Sequence, residues 1–100
     1  MQHLMMIRPR VKAEHVAEVE AAVEKLFAAI EREQPEGVHY ASSKLPDGET
    51  FVVLLGLDDP AENPLAAIAE FRDFQQNLPT WIAGPPAVDQ LTVLGSYRVF

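Results

Sequence analysis

The run Phe51-Val52-Val53-Leu54-Leu55-Gly56-Leu57 limits the possible folds more than any other stretch of this chain. It holds no charge and no hydroxyl, and it opens with aromatic and β-branched residues directly after Gly-Glu-Thr. A short apolar run of this kind, bounded by a turn, reads as a strand and not as a helix. Alternate side chains of a strand point to opposite faces of its sheet. Phe51, Val53, Leu55 and Leu57 therefore share one face, and Val52, Leu54 and Gly56 the other. Neither face suits water, so this is expected to be a central strand covered on both sides.

The rest of the chain supplies its partners. Residues 3–11 read as a first strand, apolar in both parities at Met5-Met6-Ile7, with regular pairing ending at Pro9, which has no N–H to donate. Over residues 13–33, Val16, Val19, Val23, Leu26, Phe27 and Ile30 recur at helical spacing and make one stripe. Glu14, Glu18 and Glu20 come early and Arg32 late, as the helix dipole favours. Pro35 takes Gln34 out of helical geometry and closes the helix. Residues 38–45 read as a second strand, and Pro46-Asp47-Gly48 as the turn that joins it to the third in a hairpin. Asn63-Pro64 is a helix start, a capping side chain followed by proline at the first position. Ala67, Ile68, Phe71, Phe74, Gln75 and Leu78 form the inner face of this second helix, which Pro79 is expected to end. A last strand is expected from Val88 to about Phe100.

The order strand, helix, strand, strand, helix, strand predicts one ferredoxin-like α+β domain over residues 1–100: βαββαβ, a four-stranded antiparallel sheet with both helices on one face and the first and third strands central. Two helices dry only one side of that sheet. Each large apolar side chain on the other side contributes about 1.5–3 kcal/mol if covered, and a chain of 100 residues has no element left to cover it. The expectation is a homodimer through the open sheet face, two sheets closing into a dimeric α+β barrel, with the long last strand crossing to the partner.

Charge and composition narrow the partners. Eight Lys and Arg against fifteen Asp and Glu give a net charge of -7, whereas nucleic acid and anionic membranes need clustered cations. Neither partner is expected. The chain has no cysteine, which excludes disulfides, thiolate metal sites and cysteine nucleophiles and is compatible with the cytoplasm. The amino-terminal residues lack a signal-peptide pattern, no apolar run is long enough to span a bilayer, and a cytoplasmic location is expected. The three histidines fall in no HxxxH or HExxH spacing and no glycine-rich phosphate loop is present, so neither metal nor cofactor is expected.

A ligand pocket in this architecture lies between helices and sheet or inside the barrel, lined by apolar groups with a few polar ones. The polar candidates are His3, Arg8, His39, Tyr40, Thr92 and Tyr97, with Trp81 as a wall. His39 and Tyr40 are adjacent on a strand, so they point to opposite faces and cannot both line one cavity. The parity of the strand does not choose between them. His39 is a candidate by residue type, since a histidine side chain can serve as acid or base, though a strand histidine is commonly a surface residue. Arg8 can hold an anionic group or pair with an acid in this acidic chain. Tyr40 or Tyr97 can polarise a phenolic ligand or simply satisfy a hydroxyl, and Trp81 with Ile82 can plug a core. His15 sits beside Glu14 and Glu18 on the exposed side of the first helix.

Several stretches in order carry a resemblance to a known group: Arg10-Val11-Lys12, Gln34-Pro35-Glu36-Gly37-Val38-His39-Tyr40, the Pro-Asp-Gly hairpin, the strand 51–57 and Trp81-Ile82-Ala83-Gly84-Pro85-Pro86. Together they resemble the antibiotic-biosynthesis monooxygenase-like family of dimeric α+β barrels. The resemblance implies that fold, a homodimer and a small apolar or aromatic ligand. It also implies a monooxygenase-like reaction without cofactor, in which the substrate's own carbanion supplies electrons to oxygen. The site would then need a base and hydrogen-bond donors, for which His39 or Tyr40 and Arg8 are the candidates. Haem-degrading members of the group carry Asn on the first strand, Trp near the end of the third and His on the second helix. This chain has Met5, Met6 and Ile7, then Leu55-Gly56-Leu57, and no histidine in residues 64–78, so no catalytic residue is carried over. Tyr40 is in register with a tyrosine common on the family's second strand. The alternative is a non-catalytic dimeric ligand-binding or interaction domain of the same fold.

Overall fold

A computed structural model describes residues 3–59 and 63–97. The elements follow the expected order: β1 (His3–Arg8), α1 (Val16–Glu33), β2 (Val38–Lys44), β3 (Phe51–Leu57), α2 (Ala69–Trp81) and β4 (Ala87–Leu91), with 3-10 turns at Ala13–His15 and Pro64–Ala67. The strands form one antiparallel sheet in the order β2-β3-β1-β4, which puts β3 and β1 in the centre. This is the ferredoxin-like α+β fold.

Register decides which face each side chain takes. Leu55 pairs with Met5 on one side and Tyr40 on the other, and Val53 pairs with Ile7 and Ser42. Paired residues in a ladder share a face. Leu26 and Ala29 of α1 and Phe71 of α2 pack with Leu55 and Leu57 in one buried cluster, to which Leu65 and Ile68 also belong. A second cluster joins Val11 and Val19 to Phe51. Both helices therefore cover the face of Phe51, Val53, Leu55 and Leu57. On the opposite face Met6, Val52 and Leu54 stay partly exposed.

Local chemistry explains the boundaries. Pro9 is buried and cannot donate, so the β1 ladder stops at Arg8, and only isolated bridges follow, Arg10 to Thr50 and Val11 to Ile82. Gln34 caps α1 in the left-handed region at φ 46° and ψ 58°, its N–H donating to the Ile30 carbonyl at 2.8 Å. This is the departure from helical geometry that Pro35 imposes. In the β2–β3 turn Asp47 Oδ1 accepts from the amides of Thr50 at 2.8 Å and Glu49 at 2.9 Å, and Oδ2 accepts from the Thr50 hydroxyl at 2.7 Å. These donors, the Thr50 amide foremost, hold the Asp47 carboxyl below its usual range. Gly48 follows at φ 78°, a conformation that suits glycine.

Three expectations are corrected. Asn63 does cap a turn, accepting from the Leu65 amide at 3.1 Å, but that turn is a short 3-10 segment. The chain is extended at Ile68 (φ -90°, ψ 122°) before α2 begins, with Leu65 and Ile68 both in the buried cluster. Pro79 lies inside α2 and does not end it. So close to the carboxyl end it removes a single intrahelical bond, and the Ile82 amide still reaches the Leu78 carbonyl at 3.1 Å. Finally, β4 is a five-residue strand and not a long one. Among the described residues its partner is β1, and the paired stretch ends with Leu91 opposite Leu4. Residues 92–97 lie outside the sheet, and the end of the expected strand at Phe100 lies outside the described residues. No helix among the described residues is long and apolar enough to cross a membrane.

Candidate functional site

Between the helices and the sheet lies an apolar cavity of about 50 Å³. The sheet gives it a floor of Ile7, Val53, Phe51 and, from β2, Tyr40 and Ser42; α1 contributes Val19 and Val23; α2 closes it with Phe74, Gln75 and Leu78. The polar side chains on this lining are Tyr40, Ser42 and Gln75, all without formal charge at neutral pH.

Tyr40 takes this place because it pairs with Leu55, whose side chain faces the helices. Its ring meets Phe27 of α1 at a centroid distance of 5.2 Å with the planes tilted by 54°. Burial pushes its hydroxyl pKa up to about 12, because the phenolate is poorly solvated among apolar neighbours. At neutral pH the hydroxyl is therefore protonated and can donate a hydrogen bond. It is not a base.

His39 takes the other face. It pairs with Gly56, and its Nε2 lies 3.5 Å from Asp58 Oδ1. Arg8 also lies on the open face and donates to Asp89 Oδ2 at 3.1 Å in an exposed ion pair. His3 and Thr92 are exposed, and Tyr97 is 78% exposed beyond the end of β4. Of the polar candidates read from the sequence, the structure brings Tyr40 alone to the cavity. It separates His39 and Arg8 from Tyr40 by the thickness of the sheet.

Trp81 stands next to the cavity. Its ring packs edge-on to Phe74 at 5.8 Å and 63°, and it covers the cluster of Val11, Val19 and Phe51. The indole Nε1 donates to Glu18 Oε2 at 3.2 Å, while Glu18 Oε1 sits 3.1 Å from His15 Nδ1. The backbone around Trp81 is pinned as well: Lys12 N–H donates to its carbonyl and Ala83 N–H to the Arg10 carbonyl, both at 2.8 Å. At the other end of α2, Glu70 accepts from Arg32 of α1 at 3.1 Å. Its own backbone amide and the Arg32 guanidinium hold the Glu70 carboxyl below its usual range. No cluster of His, Asp and Glu suited to a metal ion occurs among the described residues.

No family model matches the sequence, and no curated protein matches it. Solved structures do match. One from Chloroflexus aurantiacus, named as a candidate antibiotic biosynthesis monooxygenase, superposes with a TM-score of 0.77 over 100% of both chains at 11% identity. A second protein so named, from Nitrosomonas europaea, gives 0.75 at 14% identity over 93% of this chain and 90% of its own. A protein of Mycobacterium tuberculosis gives 0.75 at 13% identity over 96% and 98%. This chain has their fold.

At such identity the likeness fixes the backbone plan and leaves the lining of the cavity to this chain's own residues. Two of its polar members, Ser42 and Gln75, were not among the sequence candidates. Both carried a signal: Ser42 shares the parity of Tyr40, and Gln75 falls on the inner face of the second helix.

Proposed function

We propose that this chain is a monooxygenase-like enzyme that needs no cofactor and takes a small apolar, aromatic molecule into the helix–sheet cavity. The observation that carries the reading is the Tyr40 hydroxyl, a protonated donor on a mostly apolar lining. The likeness in fold to proteins named as candidate antibiotic biosynthesis monooxygenases supports the reaction class.

The lining supplies apolar walls and neutral polar groups, without a base. The substrate would therefore arrive already ionised, or ionise easily. Tyr40 would donate to its oxygen and hold the ring in place, and the apolar walls would exclude water from the electron-rich form. A hydrogen-bearing ring carbon of the substrate anion would bond to dioxygen, and the resulting peroxide, protonated from solvent, would break its O–O bond with loss of that carbon's hydrogen, leaving a carbonyl on the product and releasing the other oxygen as water. Since the cavity of about 50 Å³ is far below the ~150 Å³ of a known benzene-binding cavity, its wall must move to admit a ring.

The same proposal includes a homodimer through the open sheet face. Met6, Val52 and Leu54 are partly exposed there, and beyond β4 Val93 and Leu94 are exposed, Leu94 at 97%. In such a dimer His39 and Arg8 would face the partner's sheet.

Oxygen uptake with a panel of phenols and quinols tests the reaction. Turnover at low substrate concentration should fall roughly ten- to hundredfold in Tyr40→Phe, since a hydrogen bond to a charged group is worth about 1.5–3 kcal/mol and its loss leaves the substrate anion poorly held. Binding without oxygen uptake in the wild type would leave the non-catalytic ligand-binding module as the function. Turnover unchanged in Tyr40→Phe would remove Tyr40 from the chemistry.

A further inference from the structure

Phe74 lines two spaces. One is the inner cavity, of about 50 Å³. The other is a groove of about 110 Å³ between α1 and α2, with Ala22 and Lys25 on one side and Asp73, Asn77 and Trp81 on the other. The Phe74 ring is thus a shared wall between an apolar interior and an outer groove with a polar rim. If the ring turned away, the two spaces would join. Their combined volume then exceeds the ~150 Å³ of a dry cavity known to take benzene, which neither space reaches alone.

The ring is held where it is. Trp81 stands against it at 5.8 Å. Trp81 is tethered in turn, its indole N–H donating to Glu18 and its backbone carbonyl accepting from the Lys12 amide. Glu18 is on α1 and Trp81 on α2, so this contact ties the two helices beside the groove.

We propose that Phe74 is the gate of the cavity, that ligands enter through the α1–α2 groove, and that Glu18 acts as a positioning residue by fixing Trp81 as the backstop of the gate. The inference rests on the reading of the cavity as a ligand site. It adds the route of entry and the side chain that sets the size limit. Because the groove rim holds both signs of charge, and the interior none, the gate should pass neutral ring compounds and turn back carboxylates.

Trp81 is the chain's only tryptophan, so its fluorescence reports the gate directly. Stopped-flow mixing with p-cresol measures entry, and calorimetry with 1-naphthol measures the size limit. Moving a packed ring off its rotamer costs about a factor of ten in rate. Phe74→Ala should therefore speed p-cresol association about tenfold and tighten 1-naphthol binding by a similar factor. Phe74→Leu, which keeps most of the packing, should do the same to a smaller degree. Glu18→Ala should shift the Trp81 emission and speed association, and Glu18→Gln, which keeps an acceptor for the indole, should restore both.

If wild type binds p-cresol while both Phe74 variants keep its association rate and its 1-naphthol affinity, the gate is wrong and the cavity reading stands. If Glu18→Ala shifts the emission without changing the rate, Glu18 has no part in gating. If neither compound binds wild type or Phe74→Ala, the cavity reading fails and the gate fails with it.

Discussion

Tyr40 and Leu55 face each other across the β2–β3 ladder, and that pairing turns Tyr40 toward the helices and His39 toward the open face. The hydroxyl of Tyr40 then sits in a medium that disfavours its anion, with its pKa pushed up to about 12 from an ordinary 10.0. The folded chain holds the proton to higher pH than the unfolded chain does. Stability is complete below about pH 10 and is lost as the pH rises toward 12. Integrated over that window the loss is roughly 2–3 kcal/mol, at 1.36 kcal/mol per unit. Urea titrations of the wild type and Tyr40→Phe at pH 8, 10 and 11.5 isolate the effect. The difference between them should grow with pH, the wild type losing more. A difference that does not change with pH would show that the hydroxyl is solvated.

Leu65 is fully buried, although it sits in a four-residue 3-10 turn and not in a helix or strand. It packs into the same cluster as Leu26, Leu55 and Phe71. Leu65→Ala should cost about 2–5 kcal/mol, the range for a leucine removed from a helix core. The neighbouring exposed Ala66→Ser should cost less than about 0.5 kcal/mol. Denaturant midpoints measured for both give the contrast. Equal losses would show that the turn, and not the side chain, carries the stability.

The sheet was legible in the sequence because β3 leaves no choice: an apolar run on both parities has to be central, and the turns on either side fix its neighbours. The direction of each face was not legible, since alternation is symmetric and Tyr40 and His39 exchange places if the helices move to the other side. The break at Ile68 was hidden for a different reason. Ala66-Ala67-Ile68-Ala69-Glu70 contains nothing that opposes a helix, so local propensity carries no sign of the extended residue found at Ile68. The shortness of β4 was hidden in the same way, because Leu91 and Val93 alternate as a strand would. The pairing with β1 ends at Leu4 opposite Leu91, and residues 92–97 leave the sheet. In the site, Tyr40 could be nominated by its residue type. Its isolation from His39 and Arg8 needed the register.

Gln34 is a non-glycine residue at φ 46°, and no other described residue except glycine has a positive φ. That conformation costs a side-chain-bearing residue roughly 1–2 kcal/mol. Gln34→Gly removes the strain but adds freedom to the unfolded chain, which offsets about 0.5–1 kcal/mol. The net should be a gain of about 0.5 kcal/mol, seen as a higher melting temperature. Gln34→Val should move it the opposite way by more, since a branched Cβ is worse in this region. The sign of the two changes is the test. A glycine that destabilises would mean that the Gln34 side chain contributes contacts beyond its capping geometry.

Leu54 lies on the open face between Met6 and Ala41, in the middle of the sheet. Helices cover the other side of β3, so Leu54 has no role in the helix-side core. In a dimer through this face it would be central, and a carboxylate there would be placed in an apolar interface without a partner. Leu54→Glu should therefore yield a monomer by sedimentation velocity at micromolar concentration while the far-ultraviolet spectrum stays that of an α+β protein. The melting temperature should fall, and at fixed variant it should no longer depend on protein concentration, as it would for a wild type that gains stability from association. A wild type that sediments as a monomer across the same range would end the dimer proposal. The helix–sheet cavity and its gate would stand, because they lie on the side of the sheet that the helices cover.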